Sequence, residues 1–298
     1  MKGEIAILGS ALLFGLSATV VRILEADIDP VYLAALFNLV AGTAVLVVYF
    51  VLHRKKPFPS LERHDLALLF GIVVFGGILA PLLFNVGLFL SSPSTTSLLM
   101  NTEAMFTILL AFIVLKERLH AIEYAAMSVI LFCAVVVSTN LDLSSISLAQ
   151  LGSLLVILSA ICWGIDNTVS RLAIDRMDIL FIFVFKTLVG GSILLGFTVL
   201  AGIALGIPIS ILPFMVLSAI ITLGISLLLF LYGLKLIGAM RTAVIFATSA
   251  LFGTFVAVVV LNDVVSPLQA AAGGVMFMTI VYMTWVKEHA LQKVLEKV

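Results

Sequence analysis

The sequence predicts an all-α polytopic membrane protein with ten transmembrane helices, arranged as two inverted five-helix repeats. Three observations predict this fold class: the apolar composition, the ten separated apolar runs and an internal repeat. Of the 298 residues, 63% are hydrophobic and 11% are charged, and the mean hydropathy is +1.30. A soluble fold of this length cannot hide so much apolar surface, so the long runs indicate helices that cross a lipid bilayer.

The apolar runs are too long, and too uniformly apolar, for the strands of a membrane barrel, which alternate over about 10 residues. Short connections that contain most of the charge separate them. The predicted helices cover residues 4–24, 31–52, 66–90, 94–115, 121–139, 149–172, 179–203, 211–236, 240–261 and 267–286.

Basic residues are concentrated in every second connection. Of the 16 lysines and arginines, only Arg22 and Lys186 lie outside the termini and the connections after segments two, four, six and eight. Cytoplasmic loops retain positive charge, so both termini are predicted to be cytoplasmic, and the alternation supports the count of ten. The short loops suit a multi-pass protein of the cell (cytoplasmic) membrane.

The sequence repeats itself at a nearly constant offset. Residues 10–23, SALLFGLSATVVRI, match residues 159–172, SAICWGIDNTVSRL, at an offset of 149, and residues 82–88 match 228–234 at an offset of 146. Phe14 stands in the position of Trp163. Because each half contains five spans, an odd number, the second half must enter the membrane from the opposite side. The predicted units are a first repeat (1–140), a second, inverted repeat (141–286) and a cytoplasmic tail (287–298).

Inverted repeats of this kind are typical of secondary transporters, which bind their solute near the bilayer midplane and open alternately to its two sides. The SALLFG and SAICWG stretches, the two five-helix halves and an apolar helix ending in LKERL at 115–119 resemble EamA-type members of the drug/metabolite transporter superfamily. The resemblance implies a bundle of ten helices around a central cavity that moves small metabolites, often amino acids or related solutes. The family often has Glu-Pro near the start of the fourth span of each half, whereas this chain has Glu103-Ala104 and Ser249-Ala250.

Charged side chains inside the spans are the first candidates for a binding site, because an isolated charge in hydrocarbon is costly. Asp166 and Lys186 each lie roughly 10 Å from the cytoplasmic side, at a helical rise of 1.5 Å per residue, so they can meet. Their pairing has two readings. It is either a buried ion pair that fixes helix packing, or a lysine that neutralises an anionic group of the solute while the aspartate pairs or exchanges protons.

Glu103 follows Asn101 and Thr102 in segment four and is the candidate for proton coupling, because intramembrane acids commonly form proton relays. The alternative is a carboxyl that only joins helices through a hydrogen bond. Arg22 and Arg171 lie near helix ends, where long basic side chains commonly reach the headgroups.

Segment six has a polar face, because Trp163, Asp166, Asn167 and Ser170 are spaced at i, i+3, i+4 and i+7. An aromatic ring beside polar groups suits the wall of a solute cavity, although tryptophans and buried amides also serve in packing. The predicted substrate-binding residues are Lys186, Asp166, Trp163, Asn167, Asn38 and Asn85.

Pro81 lies well inside segment three and lacks a backbone N–H. It therefore frees the carbonyl of Gly77, four residues earlier, and favours a bend in that helix. The neighbouring Gly76 adds a flexible point.

Other function classes have little support in the sequence. It contains no HExxH, GxSxG or phosphate-loop motif and no intramembrane histidine, so we expect no enzyme, no cofactor and no metal site. No ATP-binding domain is present, so we expect proton coupling or exchange to supply the energy. A membrane channel and a non-transporting scaffold or receptor are the alternatives. The expected partners are a small-molecule substrate and the lipid bilayer, with no nucleic acid, and the protein is expected to be a monomer or homodimer.

Overall fold

The computed structural model of the chain describes residues 2–52, 61–115, 121–141 and 147–295. Within these ranges the chain is all helical and contains no strand. The α-helices are α1 (Lys2–Leu24), α2 (Pro30–Leu52), α3 (Arg63–Ile72), α4 (Ala80–Leu90), α5 (Pro93–Leu99), α6 (Asn101–Leu115), α7 (Ala121–Thr139), α8 (Leu148–Ile174), α9 (Ile179–Leu200), α10 (Leu212–Ser218), α11 (Ser226–Phe246), α12 (Thr248–Leu261) and α13 (Pro267–Leu295). Two π-helical turns, Val73–Leu79 and Ala219–Ile225, join α3 to α4 and α10 to α11.

Seven helical stretches of the described ranges are long and apolar enough to cross a membrane. They are Lys2–Leu24, Pro30–Leu52, Arg63–Leu90, Leu148–Ile174, Ile179–Leu200, Leu212–Ala239 and Arg241–Leu261. Shorter apolar helices occupy Ala125–Thr139 and Pro267–Tyr282. Large apolar side chains face outward all along the bundle, as they do on a surface in contact with lipid. The chain is therefore a multi-pass, all-helical membrane protein.

Several predicted segments are interrupted. The third contains the first π-helical turn, which was not predicted and which ends two residues before Pro81. Pro81 has no N–H to offer the carbonyl of Gly77, and the side-chain Nδ2 of Asn38 donates to that carbonyl at 3.2 Å. The fourth segment breaks at Met100 although Ala104 stands where a proline is frequent in the family. There, the hydroxyl of Thr102 bonds to the carbonyl of Leu99 at 2.8 Å.

Packing partners recur in both halves of the chain. Helix α1 packs against α11 and α12, α8 packs against α4 and α6, and α2 packs against α9. Close backbone approaches recur in the same way: a side chain at Gly87 would collide with the backbone of Gly152, and one at Gly233 would collide with Ile7. An offset of 146 relates Gly87 to Gly233, and an offset of 149 relates Gly3 to Gly152. The carbonyl of Gly3 also lies against Gly233, so the Gly3–Gly233 contact is equivalent to the Gly152–Gly87 contact.

Contacts of charged side chains mark the two ends of the bundle. At one end, which we call the basic end, Arg176 follows α8 and donates to Asp65 at 2.6 Å and to Glu62 at 2.8 Å. At the opposite end, Asp263 after α12 accepts hydrogen bonds from the backbone and hydroxyl of Ser94.

The two arginines near helix ends lie at opposite ends of the bundle. Arg171 pairs with Asp175 at 2.8 Å, at the basic end. Arg22 donates to the carbonyl of Phe89 at 3.0 Å, at the opposite end. Each arginine thus contacts a group of the protein. We had predicted contacts with lipid headgroups only.

Some predicted features lie outside the described residues. They include residues 116–119 of the LKERL motif and the basic connection within 53–60. The backbone of α13 continues as far as Leu295, so the first residues of the predicted tail extend the last helix.

Candidate functional site

Asp166 and Lys186 meet inside the bundle. Helix α8 ends at Ile174, and Asp178 caps the start of α9 by accepting the backbone N–H of Leu180 at 2.9 Å. The short link places the two side chains at a similar depth. Nζ of Lys186 donates to Oδ2 of Asp166 at 2.8 Å, and each residue is 1% exposed.

The first π-helical turn lies directly against this ion pair. A side chain at Gly76 would collide with the carboxylate of Asp166, and one at Gly77 would lie 2.7 Å from the backbone carbonyl of Lys186. Ser170 donates to the second oxygen of Asp166 at 3.2 Å. The turn and the hydroxyl therefore fix the carboxylate from two sides.

A second polar cluster lies beside the first. Nδ2 of Asn167 donates to Oε1 of Glu103 at 2.9 Å and to the hydroxyl of Thr107 at 3.2 Å. Because Asp166 and Asn167 are consecutive on α8, the helix holds both clusters next to each other. We did not predict Thr107, although its i+4 spacing from Glu103 places both on one face of α6.

Most of the predicted residues surround one cavity of about 40 Å³, which we call the polar chamber. A water molecule needs roughly 10–15 Å³ of such space, so the chamber has room for a few waters. The predicted residues that line it are Lys186, Glu103, Asn167, Asn38 and Trp163. Asp166 is not part of the lining and contacts the chamber through Lys186. Asn85 is also absent from the lining and belongs to a neighbouring cavity.

Aromatic rings form the apolar wall of the polar chamber. The ring of Phe14 lies 5.7 Å from that of Trp163, nearly perpendicular to it, and 5.2 Å from that of Phe246. Phe230 packs edge-on against Phe246 at 4.8 Å. The sequence comparison singled out Phe14 and Trp163 as equivalent positions. Phe230 matches Phe84 at the offset of 146, whereas Phe246 had no such signal, because it reaches the chamber only through the packing of α11.

Hydroxyl groups close the chamber between α1 and α11. Oγ of Ser226 lies 3.2 Å from Oγ of Ser10. It also donates a hydrogen bond to the backbone carbonyl of Ser10 at 3.0 Å. The equivalent contact in the other half is the bond from Ser159 to the carbonyl of Ala80 at 2.9 Å.

The described ranges contain no group of three or more His, Cys, Asp or Glu side chains placed to bind a metal. Cys133 and Cys162 are buried and unpaired. Within those ranges, the chamber therefore offers ion-pairing, hydrogen-bonding and aromatic contacts.

Glu25, just beyond the end of α1, is a buried carboxyl that we did not predict from the sequence. Within the described ranges neither of its oxygens has a hydrogen-bond partner, and the guanidinium of Arg22 lies 3.7 Å away. Burial raises the pKa of Glu25 to about 8, against the opposing effect of Arg22. The neighbouring Asp29 raises it further.

Comparison with known proteins places these observations in a family. The model of the EamA-like transporter family matches residues 1–139 and 150–285. An "Uncharacterized transporter" of Methanothermobacter thermautotrophicus is 28% identical over 298 residues, which cover 95% of this chain and 86% of that protein. A "Probable amino-acid metabolite efflux pump" of Escherichia coli is 28% identical over 159 residues, covering 53% of this chain and 50% of that protein.

One solved structure has the same fold. It superposes with a TM-score of 0.71 at 19% identity and covers 96% of this chain and 97% of its own. The family match and the relatives named as transporters indicate a transporter rather than an enzyme. The chain belongs to the EamA-like transporter family.

Proposed function

We propose that the protein is a secondary transporter that moves small metabolites, such as amino acids or related organic solutes, by alternating access. The observation that carries this proposal is the polar chamber. Charged and amide side chains from four helices, at Lys186, Glu103, Asn167 and Asn38, meet there inside a largely apolar bundle. Polar groups buried at membrane depth are costly and usually mark the path of a solute or an ion.

The chamber is closed in this conformation. Lys186 is 1% exposed and Glu103 is 6% exposed, so neither end of the bundle gives solvent ready access to them. A carrier passes through such a closed conformation between its two open ones. A channel, by contrast, needs a continuous opening when it conducts.

The proposed architecture has ten spans in two inverted halves, residues 1–140 and 141–286, with both termini cytoplasmic. Recurrent contacts support the inversion. Gly42 packs against Thr187, and Gly191 packs against Asn38. The two contacts are equivalent, because an offset of 149 relates Gly42 to Gly191 and Asn38 to Thr187. Interchange of equivalent contacts between two halves is the usual basis of alternating access in inverted-repeat carriers.

In this proposal each charged residue has a separate role. Lys186 binds an anionic group of the solute, and Asp166 holds the lysine in place when the chamber is empty. Glu103 accepts an ammonium group or a proton, which would couple transport to a proton gradient or to exchange. Trp163 and Phe14 contact the apolar part of the solute. The hydrogen bonds and ring contacts described above support these assignments.

The experiment is a screen of metabolites on proteoliposomes, with and without an imposed pH gradient. We expect saturable uptake and counterflow for at least one anionic or zwitterionic solute. Lys186→Ala should abolish that uptake while expression stays intact. Ohmic current through a bilayer would instead indicate a channel, and solute binding without flux would indicate a scaffold or receptor.

A further inference from the structure

A second cavity adjoins the polar chamber. It also measures about 40 Å³, and the two share Phe14, Asn38, Pro81, Trp163 and Leu223. We call it the apolar chamber, because no charged side chain of the described residues lines it. The residues that line the apolar chamber but not the polar chamber include Ser17, Val21, Phe37, Phe84, Asn85 and Thr222.

The two chambers lie in series along the bundle. On α1, the polar chamber contacts Ser10 and Phe14, whereas the apolar chamber contacts Phe14, Ser17 and Val21. Helix α1 ends at Leu24, near the Arg22–Phe89 contact of the opposite end. The apolar chamber is therefore the nearer of the two to the opposite end.

The internal repeat relates the two chambers. An offset of 149 pairs Phe14 with Trp163, and the rings of these two residues touch between the chambers. The same offset pairs Ser17 with Asp166, and Phe37 with Lys186. The apolar chamber is thus the counterpart of the polar chamber, with an alcohol and a phenyl ring in place of the ion pair.

Asn85, which lines the apolar chamber, has one polar atom without a partner. Nδ2 of Asn85 donates to the carbonyl of Pro81 at 2.8 Å, but its Oδ1 is buried and has no hydrogen bond in the described ranges. Asn85 is 6% exposed. A buried acceptor without a donor is unfavourable, so a ligand that supplies a donor gains affinity. Burial of a charged donor would be costly in a chamber without an acid, which favours an uncharged one.

We propose that the apolar chamber is a second binding site for the transported solute, in which Oδ1 of Asn85 accepts a hydrogen bond from an uncharged donor on the solute's apolar part. Amide and hydroxyl groups have this chemistry. The inference rests on the proposed function, because it makes the apolar chamber the next station of a solute that leaves the polar chamber past Phe14 and Trp163.

The test uses two uncharged probes of matched shape. Isobutyramide carries an amide NH₂ where 3-methyl-2-butanone carries a methyl group. Trp163 reports binding by its fluorescence once the other tryptophan is removed by Trp285→Phe. Neither probe has an anionic group, so the Lys186 site contributes little to their affinity.

We expect the amide to bind about 3- to 10-fold more tightly than the ketone, the range for one hydrogen bond. Asn85→Leu should abolish this preference. Asn101→Leu is the matched control, because Asn101 lines neither chamber and its buried side-chain amide has no hydrogen bond to any residue that the structure describes. The control should retain the preference.

The outcomes separate this inference from the proposed function. Equal affinities, a preference that survives Asn85→Leu, or no saturable fluorescence change with either probe would overturn the second site. Intact flux together with any of these results would overturn the second site alone. A full amide preference in a protein that shows no flux of any solute would contradict the transporter instead.

Discussion

Replacement of Lys186 by methionine leaves the carboxylate of Asp166 without a cation inside the bundle. The lost ion pair is short, at 2.8 Å, and the side chains are 1% and 2% exposed, so water cannot replace the missing charge. Removal of one partner of such a buried pair typically costs about 3–5 kcal/mol. Lys186→Met should therefore lower the free energy of unfolding in detergent by about that amount.

The double variant Lys186→Met/Asp166→Asn separates packing from binding. Neither position of the former ion pair then has a charge, so the stability of the double variant should return to within about 1–2 kcal/mol of the wild-type value. Its transport should remain absent, because no cation is left to bind the solute. The assays are unfolding in detergent and uptake in proteoliposomes on the same preparations.

Two results would refute this reasoning. Transport by the stable double variant would show that the ion pair only fixes the packing of α8 and α9. A double variant as unstable as Lys186→Met would show that the cost does not come from the unpaired carboxylate.

Substitutions at three further positions should change stability or transport. Gly76→Ala should destabilise the protein by about 1–3 kcal/mol and reduce transport, because the new methyl group collides with the carboxylate of Asp166. Gly196→Ala is the control: Gly196 has open space around it, so this variant should keep its stability and transport. Glu103→Gln should abolish accumulation driven by a pH gradient but leave solute counterflow measurable, and unchanged accumulation would exclude the proton role. The buried Glu25 has a pKa of about 8, above its ordinary value of 4.5, so folding favours its protonated form. As the pH rises from 4.5 to about 8, the free energy of unfolding should therefore fall by at most about 1.4 kcal/mol per pH unit, and it should level off above pH 8. In the variant Glu25→Gln this decrease should be smaller. Thermal melts over a series of pH values measure both.

Part of the site follows from one-dimensional spacing. The depth of Asp166 and Lys186 could be counted from the helix ends, because a short link fixes α8 and α9 at nearly the same height. The free carbonyl of Gly77 follows from the missing N–H of Pro81. Both predictions depend on the chain only within one or two helices, where helical geometry is regular.

Contacts between helices that are distant in the sequence could not be predicted from spacing. The sequence gives no reason for Asn38 to face Gly77 rather than lipid, and none for Phe246 to meet Phe14. The π-helical turns are also hidden, because VVFGGIL and AIITLGI share little beyond apolar character. Such turns depend on which surfaces the neighbouring helices present, and a single sequence does not specify those surfaces before the bundle is assembled.

The Asp166–Lys186 pair lies closer to the basic end than to the opposite end. Only one half of the chain contains these ions, so in the proposed alternating-access cycle the two open conformations should differ in energy even without a solute. Opening at the basic end brings water near the pair and recovers part of its hydration energy, whereas opening at the other end leaves it dry. We therefore expect the empty carrier to rest open at the basic end, and the solute to supply the energy that reverses this population.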